Sequence, residues 1–369
     1  MADQYKYRFL FSGGGTGGHL FPVVAVAEKL KEVLPACEIL FVGTPDKIES
    51  RVIPELGYNY RAIPVAGFAR NNGIKNILFP FKLFFSLIKS LAIALKYKPL
   101  AAIGAGAYVT GPILWASSIM GAKIVLLEQN SFPGVTNRML EKKASTVHLA
   151  FEDSKQYFRY PEKLKVTGNP VRSSLQLIDK NEAKAKLGLD PDKQTVVVLG
   201  GSLGAKSINE TIAGNIEKFG KDIQLVWQTG KIYYENYKNL EKPGVKVLDF
   251  IDDMAAVYSS ADLIVARAGA TTIAEVTNLG LPVVFVPSPN VAADHQYKNA
   301  KSIADLNAAV VIKDIEIEKK MIPEVMASLG DTGRLNDLGN NIKKFAKPDA
   351  AEKIVDDLLR LTGIKARRD

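Results

Sequence analysis

The sequence predicts an α/β protein made of two doubly wound domains, each a parallel sheet with helices on both faces. Three observations predict it. Short apolar runs alternate with amphipathic stretches along the chain, which is the grammar of repeated βαβ units. The grammar restarts near residue 194, and each half opens alike: residues 7–11 lead into SGGGTGGH, and residues 195–199 lead into GGSLGAKS. The length of 369 residues accommodates roughly two domains of about 150 residues each. One large sheet is the competing arrangement, but a single sheet rarely needs two phosphate-type first turns.

In the first half, residues 7–11, 38–42, 100–103, 123–127 and 146–149 read as strands, with helical periods at 23–34 and 108–120. In the second half, residues 194–199 (QTVVVL) form a continuous β-branched run, as a buried central strand requires. Strands then follow at 223–227, 245–248, 263–266, 283–286 and 309–312, each succeeded by a helical or loop segment. The linker falls at 168–174 (GNPVRSS), where Gly, Asn and Pro cluster.

Composition narrows the function classes. Hydrophobic residues at 47% and charged residues at 24% exclude disorder, collagen and coiled coil as the main description. The net charge of +9 favours anionic partners, whether phosphates, nucleic acid or an acidic membrane surface. Nucleic acid is disfavoured, because no basic–aromatic interleaving of the single-strand-binding type occurs. Cys37 is the single cysteine, which excludes an internal disulfide and a multi-cysteine metal site. His19, His148 and His295 are too few for a histidine-rich one. The N-terminal stretch lacks a signal-peptide layout, and no uncharged run approaches the roughly 20 residues of a membrane span. The expected location is the cytoplasm.

The glycine turns carry the first chemical signal. Gly13-x-Gly15-x-x-Gly18 fits the dinucleotide fingerprint, with a strand before it, a helix after it and Pro22 expected in that helix's first turn. Such a turn lets backbone N–H groups and the positive helix end approach a diphosphate. A nicotinamide site also needs an acid about 20 positions on, at the end of the next strand. Residues 41–44 (FVGT) and 227–230 (WQTG) present none, which disfavours nicotinamide and flavin chemistry. GGSLGAKS is not a P-loop, because its spacer is short and Ala205 replaces the glycine before Lys206. A third turn, GAGAY (104–108), also follows a strand. Each turn alone fits a plain tight connection equally well, whereas three of them with basic residues nearby suit diphosphate ligands. His19 directly follows the first turn, where it can serve as a base or as a phosphate donor. A helix N-terminus there would favour its neutral form.

In the second half, residues 266–275 (ARAGATTIAE) place small residues at a helix start and Glu275 further in. That carboxylate suits a ribose diol or, equally, the helix dipole. His295 and Gln296 end a long polar loop and suit either sugar hydroxyls or a helix cap. Asp190-Pro191-Asp192 precedes a strand rather than following one, so it reads as surface and not as a metal site.

The motifs GGGTGGHLFP (13–22), GAGAYVTGP (104–112), EQN (128–130), GNPVR (168–172), GGSLGAK (200–206), FIDDMAAVYSSADL (250–263), RAGATTIAE (267–275), GLPVVFVP (280–287) and DHQ (294–296) run in order through almost the whole chain. Together they closely resemble the MurG family of bacterial N-acetylglucosaminyltransferases, within glycosyltransferase family 28. The resemblance implies the GT-B fold, two Rossmann-like domains facing across a cleft. It assigns residues 1–170 to the acceptor and membrane-associating domain, 171–348 to UDP-GlcNAc binding, and 349–369 to a C-terminal helix and tail that cross back to the first domain.

The implied reaction is inverting transfer of N-acetylglucosamine from UDP-GlcNAc to the C4 hydroxyl of undecaprenyl-diphospho-MurNAc-pentapeptide (lipid I). The products are lipid II and UDP, in peptidoglycan synthesis, with no cofactor and no metal. Matching positions place Thr16, Gly17 and Gly18 on the donor, Asn130 on the transferred sugar, and Arg172 and Ser202 near the diphosphate. Ile251 offers its backbone to uracil, and Ala270, Thr271, Thr272, Ile273 and Ala274 wrap the α-phosphate and ribose. Glu275 takes the diol, and Gln296 reads sugar hydroxyls. Gly14, Gly15, Gly104, Gly106 and Tyr108 hold the acceptor diphosphate, and His19 is the candidate base. Two departures matter. Many relatives carry histidine where this chain has Leu127, and many carry one within the segment that here reads WQTG (227–230). Both losses leave His19 as the remaining candidate.

Residues 76–95 (NILFPFKLFFSLIKSLAIAL) are unusually apolar, and Lys75, Lys82, Lys89 and Lys96 recur every seven positions beside Ile77, Phe81 and Phe85. At about 3.6 residues per turn this stripe keeps to one helix face. It fits an anionic membrane surface or a core helix with snorkelling lysines. The lipid-linked acceptor implied by the resemblance favours the membrane. It places the protein peripherally on the cytoplasmic side of the bacterial inner membrane, with cell-wall synthesis proteins as possible partners. The basic end, residues 365–368, reads as a solvated tail. The alternatives within the fold are another glycolipid glycosyltransferase and a UDP-GlcNAc 2-epimerase. Outside enzymology, the alternative is a nucleotide-binding membrane adaptor without turnover.

Overall fold

A computed structural model describes residues 7–65, 79–201, 203–291 and 294–365. Lys75, Ile77, Ser202 and most of the basic tail lie outside the described residues. The chain divides into two compact units, Met1–Ser173 with Pro348–Asp369, and Ser174–Lys347.

The first unit begins β1 (Tyr7–Ser12), α1 (Gly17–Val33), β2 (Cys37–Gly43), α2 (Ile48–Glu55), β3 (Asn59–Ala62) and α3 (Phe79–Tyr97). It continues β4 (Ala101–Gly104), α4 (Thr110–Ile119), β5 (Lys123–Glu128), α5 (Val135–Leu140), β6 (Thr146–Leu149) and β7 (Leu164–Val166). The described strands are parallel and ordered β3-β2-β1-β4-β5-β6-β7. Both faces are buried, and the two-residue strand period sorts side chains between them. Phe9, Phe11, Ile39, Phe41 and Ile103 join α1 in one core. Leu10, Leu40, Val42 and Leu126 join Ile113 and Leu114 of α4 in the other. The C-terminal helix Ala350–Thr362 closes the first of these cores with Ile354, Val355, Leu358 and Leu359. Its buried Asp357 pairs with Lys165 and with Arg360 at 2.7 Å, and its Oδ2 lies 3.2 Å from Nε2 of His148. His148, on β6 between β5 and β7, is therefore a packing residue beneath the C-terminal helix.

Three sequence expectations need correction. Pro22 falls in the second turn of α1, because the helix starts at Gly17 on the Thr16 carbonyl, which accepts from His19 N (3.3 Å) and Leu20 N (3.2 Å). The helix after the third glycine turn starts at Thr110 rather than 108. Strands β3 and β7 were not expected, since both are short and largely exposed and lack an apolar run.

The second unit runs α6 (Lys180–Lys186), β8 (Gln194–Leu199), α7 (Lys206–Ala213), β9 (Ile223–Gln228), α8 (Tyr234–Tyr237), β10 (Val245–Leu248), α9 (Met254–Ser260) and β11 (Leu263–Ala266). It then runs α10 (Ala270–Leu279), β12 (Val283–Phe285), α11 (His295–Ala304), β13 (Val310–Val311), α12 (Ile317–Leu329) and α13 (Thr332–Lys343). Its described strands are also parallel, ordered β10-β9-β8-β11-β12-β13. Both sheets are doubly wound and Rossmann-like, reversing direction between β1 and β4 and between β8 and β11. Ligands of such sheets bind at the carboxyl ends of the strands flanking that switch point. The glycine turns at 13–18, 104–108 and 200–206 and the RAGATT turn at 267–272 all occupy those positions.

Helix α3 buries an unexpected face. Ser86, Ser90 and Ala94, one turn apart, are buried as the helix packs beside α4, while Phe81 is 63% exposed and Phe84 and Phe85 are each 59% exposed. Ile88 and Leu95 are exposed as well, alongside Lys82, Lys89 and Lys96. This arrangement does not fit a plain core helix, because Ser86, Ser90 and Ala94 are buried and Phe81, Phe84 and Phe85 are exposed, although Ile93 and Tyr97 still pack partly against the core. Among the described residues no helix is long and apolar enough to cross a membrane.

Candidate active site

In the first unit, three loops meet at the carboxyl edge of the sheet. The first is the turn from β1 into α1. Thr16 is extended (φ −145°, ψ 163°) and Gly15 is left-handed (φ +80°). A side chain at Gly13 would meet the His19 carbonyl oxygen at 2.5 Å, and one at Gly14 would meet the Glu49 carboxyl carbon at 2.2 Å. The end of β2 presents no acid, as expected, yet a carboxylate, Glu49, reaches this turn. The carboxylate arrives from α2 rather than from the end of β2. Its Oε1 accepts from Thr44 N (3.0 Å) and Thr44 Oγ1 (2.7 Å), and its Oε2 accepts from Gly15 N (2.9 Å). The Gly15 amide is thus engaged inside the protein rather than directed at an external anion.

The second loop follows β4. Ala105 N donates to the Ser12 carbonyl at 3.1 Å and Thr110 Oγ1 to the same carbonyl at 3.3 Å, tying this turn to the first. Gly104 is needed because a side chain there would lie 2.2 Å from Thr110 Cγ2. Gly106, at φ +76°, abuts the Asn137 amide. The Tyr108 ring lies beside Gly15, and burial raises its phenol pKa.

The third loop follows β5. Glu128 is buried and accepts from Asn130 N (3.0 Å), Gly134 N (3.0 Å) and Asn137 Nδ2 (2.8 Å). Burial pushes its carboxyl pKa up, and these bonds oppose the shift. They position Asn130 without a charge of its own. His19 sits among the three loops, with Nδ1 3.2 Å from Gln129 Oε1. Burial lowers its pKa from 6.5, opposed by Gln129 and the Ala105 backbone, so desolvation rather than the helix end is the leading cause. Leu127 is part of the hydrophobic core. Arg172 lies with its guanidinium carbon 4.3 Å from the Phe21 ring centre, and its buried Nε has no hydrogen-bond partner among the described residues. Its charge faces Glu28, whose carboxyl burial nonetheless holds above the ordinary value.

In the second unit, β11 passes through Gly269, extended and without a capping side chain, into α10, whose first turn has no acidic residue. Ala270, Thr271, Thr272, Ile273 and Ala274 therefore line a positive helix start. Glu275 is buried and accepts from the Tyr258 hydroxyl at 2.7 Å. Arg267 braces the turn: one terminal nitrogen donates to the carbonyls of Val286 (3.1 Å) and Pro287 (3.3 Å) and pairs with Asp314, and the other donates to Ser207 Oγ at 2.9 Å. Gln296 accepts from Ser288 N at 2.8 Å and so closes the loop before α11. Ile251 is buried. Gly204 and Gly230 pack back to back, so a side chain on Gly230 would lie 2.2 Å from Gly204 N. Asp190 and Asp192 share a turn in which Asp192 N donates to Asp190 Oδ1 at 3.0 Å. Among the described residues no group of three or more His, Cys, Asp or Glu gathers as metal ligands would.

Sequence reasoning missed Glu49, Gln129, Tyr258 and Phe21. Gln129, Phe21 and Tyr258 lay inside the EQN, GGGTGGHLFP and FIDDMAAVYSSADL motifs without a role assigned to them, and Glu49 lay outside every motif.

These turns sit where two matched sequence domains would put them. Residues 9–149 match the glycosyltransferase family 28 N-terminal domain, and residues 195–356 match its C-terminal domain. The chain belongs to glycosyltransferase family 28. A relative from Flavobacterium psychrophilum is 43% identical over 360 residues, covering 96% of this chain and 98% of that protein. It is named UDP-N-acetylglucosamine–N-acetylmuramyl-(pentapeptide) pyrophosphoryl-undecaprenol N-acetylglucosamine transferase. A crystal structure of Acinetobacter baumannii MurG is similar at TM-score 0.72 and 28% identity, covering 96% of this chain and 99% of that one. A putative UDP-N-acetylglucosamine 2-epimerase from Listeria monocytogenes, at TM-score 0.69 and 12% identity over 99% of each chain, shares the fold alone.

The Gly14–Glu49 contact yields a test. Gly14→Ala should destabilise the chain by about 1–3 kcal/mol through overpacking. Thermal unfolding should show much less additional loss in Gly14→Ala/Glu49→Ala, because the truncated side chain makes room. Additive losses would contradict the contact.

Proposed function

We propose that this chain transfers N-acetylglucosamine from UDP-GlcNAc to the C4 hydroxyl of the MurNAc unit of lipid I, giving lipid II and UDP. The observation that carries the reading is the near full-length match to a transferase of that name at 43% identity. The second unit takes the donor. Backbone N–H groups at the start of α10 face the α-phosphate, and Glu275, steadied by Tyr258, accepts from the ribose diol. Ile251 serves uracil, Gln296 the sugar hydroxyls, and Ser202 and Arg172 the diphosphate. In the first unit, Thr16, Gly17, Gly18 and Asn130 approach the donor sugar. Gly14, Gly104, Gly106 and Tyr108 line the acceptor diphosphate, with the Gly15 amide already committed to Glu49.

Chemistry follows from these roles. The acceptor oxygen attacks the anomeric carbon from the face opposite UDP, and the C–O bond to UDP breaks with its electron pair leaving on the β-phosphate. Nε2 of His19 takes the hydroxyl proton, and the lowered pKa keeps that ring neutral and able to do so. Helix-start amides and Arg172 stabilise the charge that develops on UDP. The test is incubation with radiolabelled UDP-GlcNAc and a short-chain lipid I analogue. Label should enter the lipid with inverted configuration, and Glu275→Ala should raise KM for UDP-GlcNAc about tenfold, the worth of a charged hydrogen bond. Release of free sugar would identify an epimerase, and UDP-GlcNAc binding without turnover would identify an adaptor.

The enzyme reaches its lipid acceptor as a peripheral protein on the cytoplasmic face of the membrane. The support is α3, where Phe81, Phe84 and Phe85 stand exposed beside Lys82 and Lys89. Each well-placed cation is worth about 1 kcal/mol at an anionic surface. Lys82→Glu/Lys89→Glu should weaken binding to phosphatidylglycerol vesicles more than tenfold while leaving neutral vesicles unaffected. Unchanged binding would remove this face from the membrane.

A further inference from the structure

His19 is oriented by a neutral amide. Its Nδ1 lies 3.2 Å from Oε1 of Gln129, and Gln129 is itself buried. The direction of that amide is fixed, since its Nε2 donates to the Leu127 carbonyl at 3.3 Å. With the donor end spent on the backbone, the end facing His19 is an oxygen, which only accepts. Nδ1 must then carry the hydrogen, and Nε2 is the ring nitrogen with a lone pair.

We propose that Gln129 is a positioning residue that holds His19 as the Nδ1–H tautomer and so presents Nε2 as the basic atom. The inference rests on the reading of His19 as the base. An amide suits this task better than a carboxylate would. A carboxylate would stabilise the imidazolium and leave more of the ring protonated at neutral pH. An amide fixes the tautomer and adds no charge, so burial keeps the pKa below its ordinary 6.5 despite the opposing bonds from Gln129 and the Ala105 backbone. The titratable groups on the surrounding elements are Glu49 of α2, Tyr108 before α4 and Glu128 of β5. Glu49 is held by Gly15 and Thr44, and Glu128 by Asn130, Gly134 and Asn137. Tyr108 has its phenol pKa raised by burial and stays neutral.

The chain has three histidines, so 15N-imidazole spectra of the full-length protein can be assigned by single substitutions. Wild-type His19 should show the Nδ1–H pattern. Gln129→Leu, close in volume but unable to accept, should lose that pattern. It should also lower kcat roughly 10- to 100-fold, at or below the lower end of general-base contributions because the base is misoriented rather than removed, with KM for UDP-GlcNAc unchanged. Gln129→Glu should restore the pattern and most of kcat. It should also move the acidic limb of kcat/KM to higher pH, because the base works deprotonated and the carboxylate raises its pKa. An Nε2–H pattern in the wild type would overturn the inference. So would a Gln129→Leu enzyme with the wild-type kcat and tautomer and only a lower Tm. If Gln129→Leu fails to fold, the wild-type spectrum and the Gln129→Glu limb still decide. His19→Gln at full wild-type kcat would instead sink the base reading itself and leave the tautomer assignment standing.

Discussion

A parallel strand that passes into a helix at a sheet's switch point must turn within almost no side-chain volume, and the rest of this molecule follows from that constraint. At Gly104, any side chain would run into Thr110, and at Gly204 and Gly230 two backbones occupy the space a β-carbon would need. The same close approach bares peptide N–H groups at helix starts, where an anion gains both hydrogen bonds and a favourable dipole. Structural economy and phosphate binding are therefore one feature seen twice. This explains why a single loop of this kind says little about ligands, and why their repetition at the carboxyl edges of two doubly wound sheets says more.

The first unit spends some of those amides on its own carboxylates. Glu49 and Glu128 are both buried, and each accepts from backbone N–H groups of the loops it braces. Such buried carboxyl groups are costly unless fully bonded, and here they fix the conformation of the turns around His19. In the second unit the brace is a cation, Arg267, gripping the carbonyls after β12 and the Asp314 carboxylate. Glu275 accepts from a phenol, which orients a carboxylate without neutralising it.

Much of this was legible from residues alone because the informative strands are buried on both faces. Runs such as 196–199 and 124–127 carry their identity in unbroken apolar sequence. β3 and β7 were not legible, being edge strands whose pairing is set by neighbours in space. Glu49 escaped notice because its carboxylate reaches the glycine turn from the following helix, a fold-back that no spacing rule encodes. Gln129 was visible as a letter in EQN, yet its role depends on which end of the amide faces the ring. The seven-residue lysine repeat of 75–96 was readable as a stripe, but the burial of Ser86, Ser90 and Ala94 in place of the phenylalanines runs against any hydrophobicity rule.

The central claim is that uridine diphosphate is gripped by the start of α10 together with Glu275. Hydrogen–deuterium exchange of the full chain with and without UDP tests it most directly. The account predicts slowed exchange at the amides of residues 270–275, and at a UDP concentration near the wild-type Kd most of that protection should be lost in Glu275→Ala. Saturating UDP that leaves those amides unchanged, or protects only amides elsewhere in the chain, would contradict it.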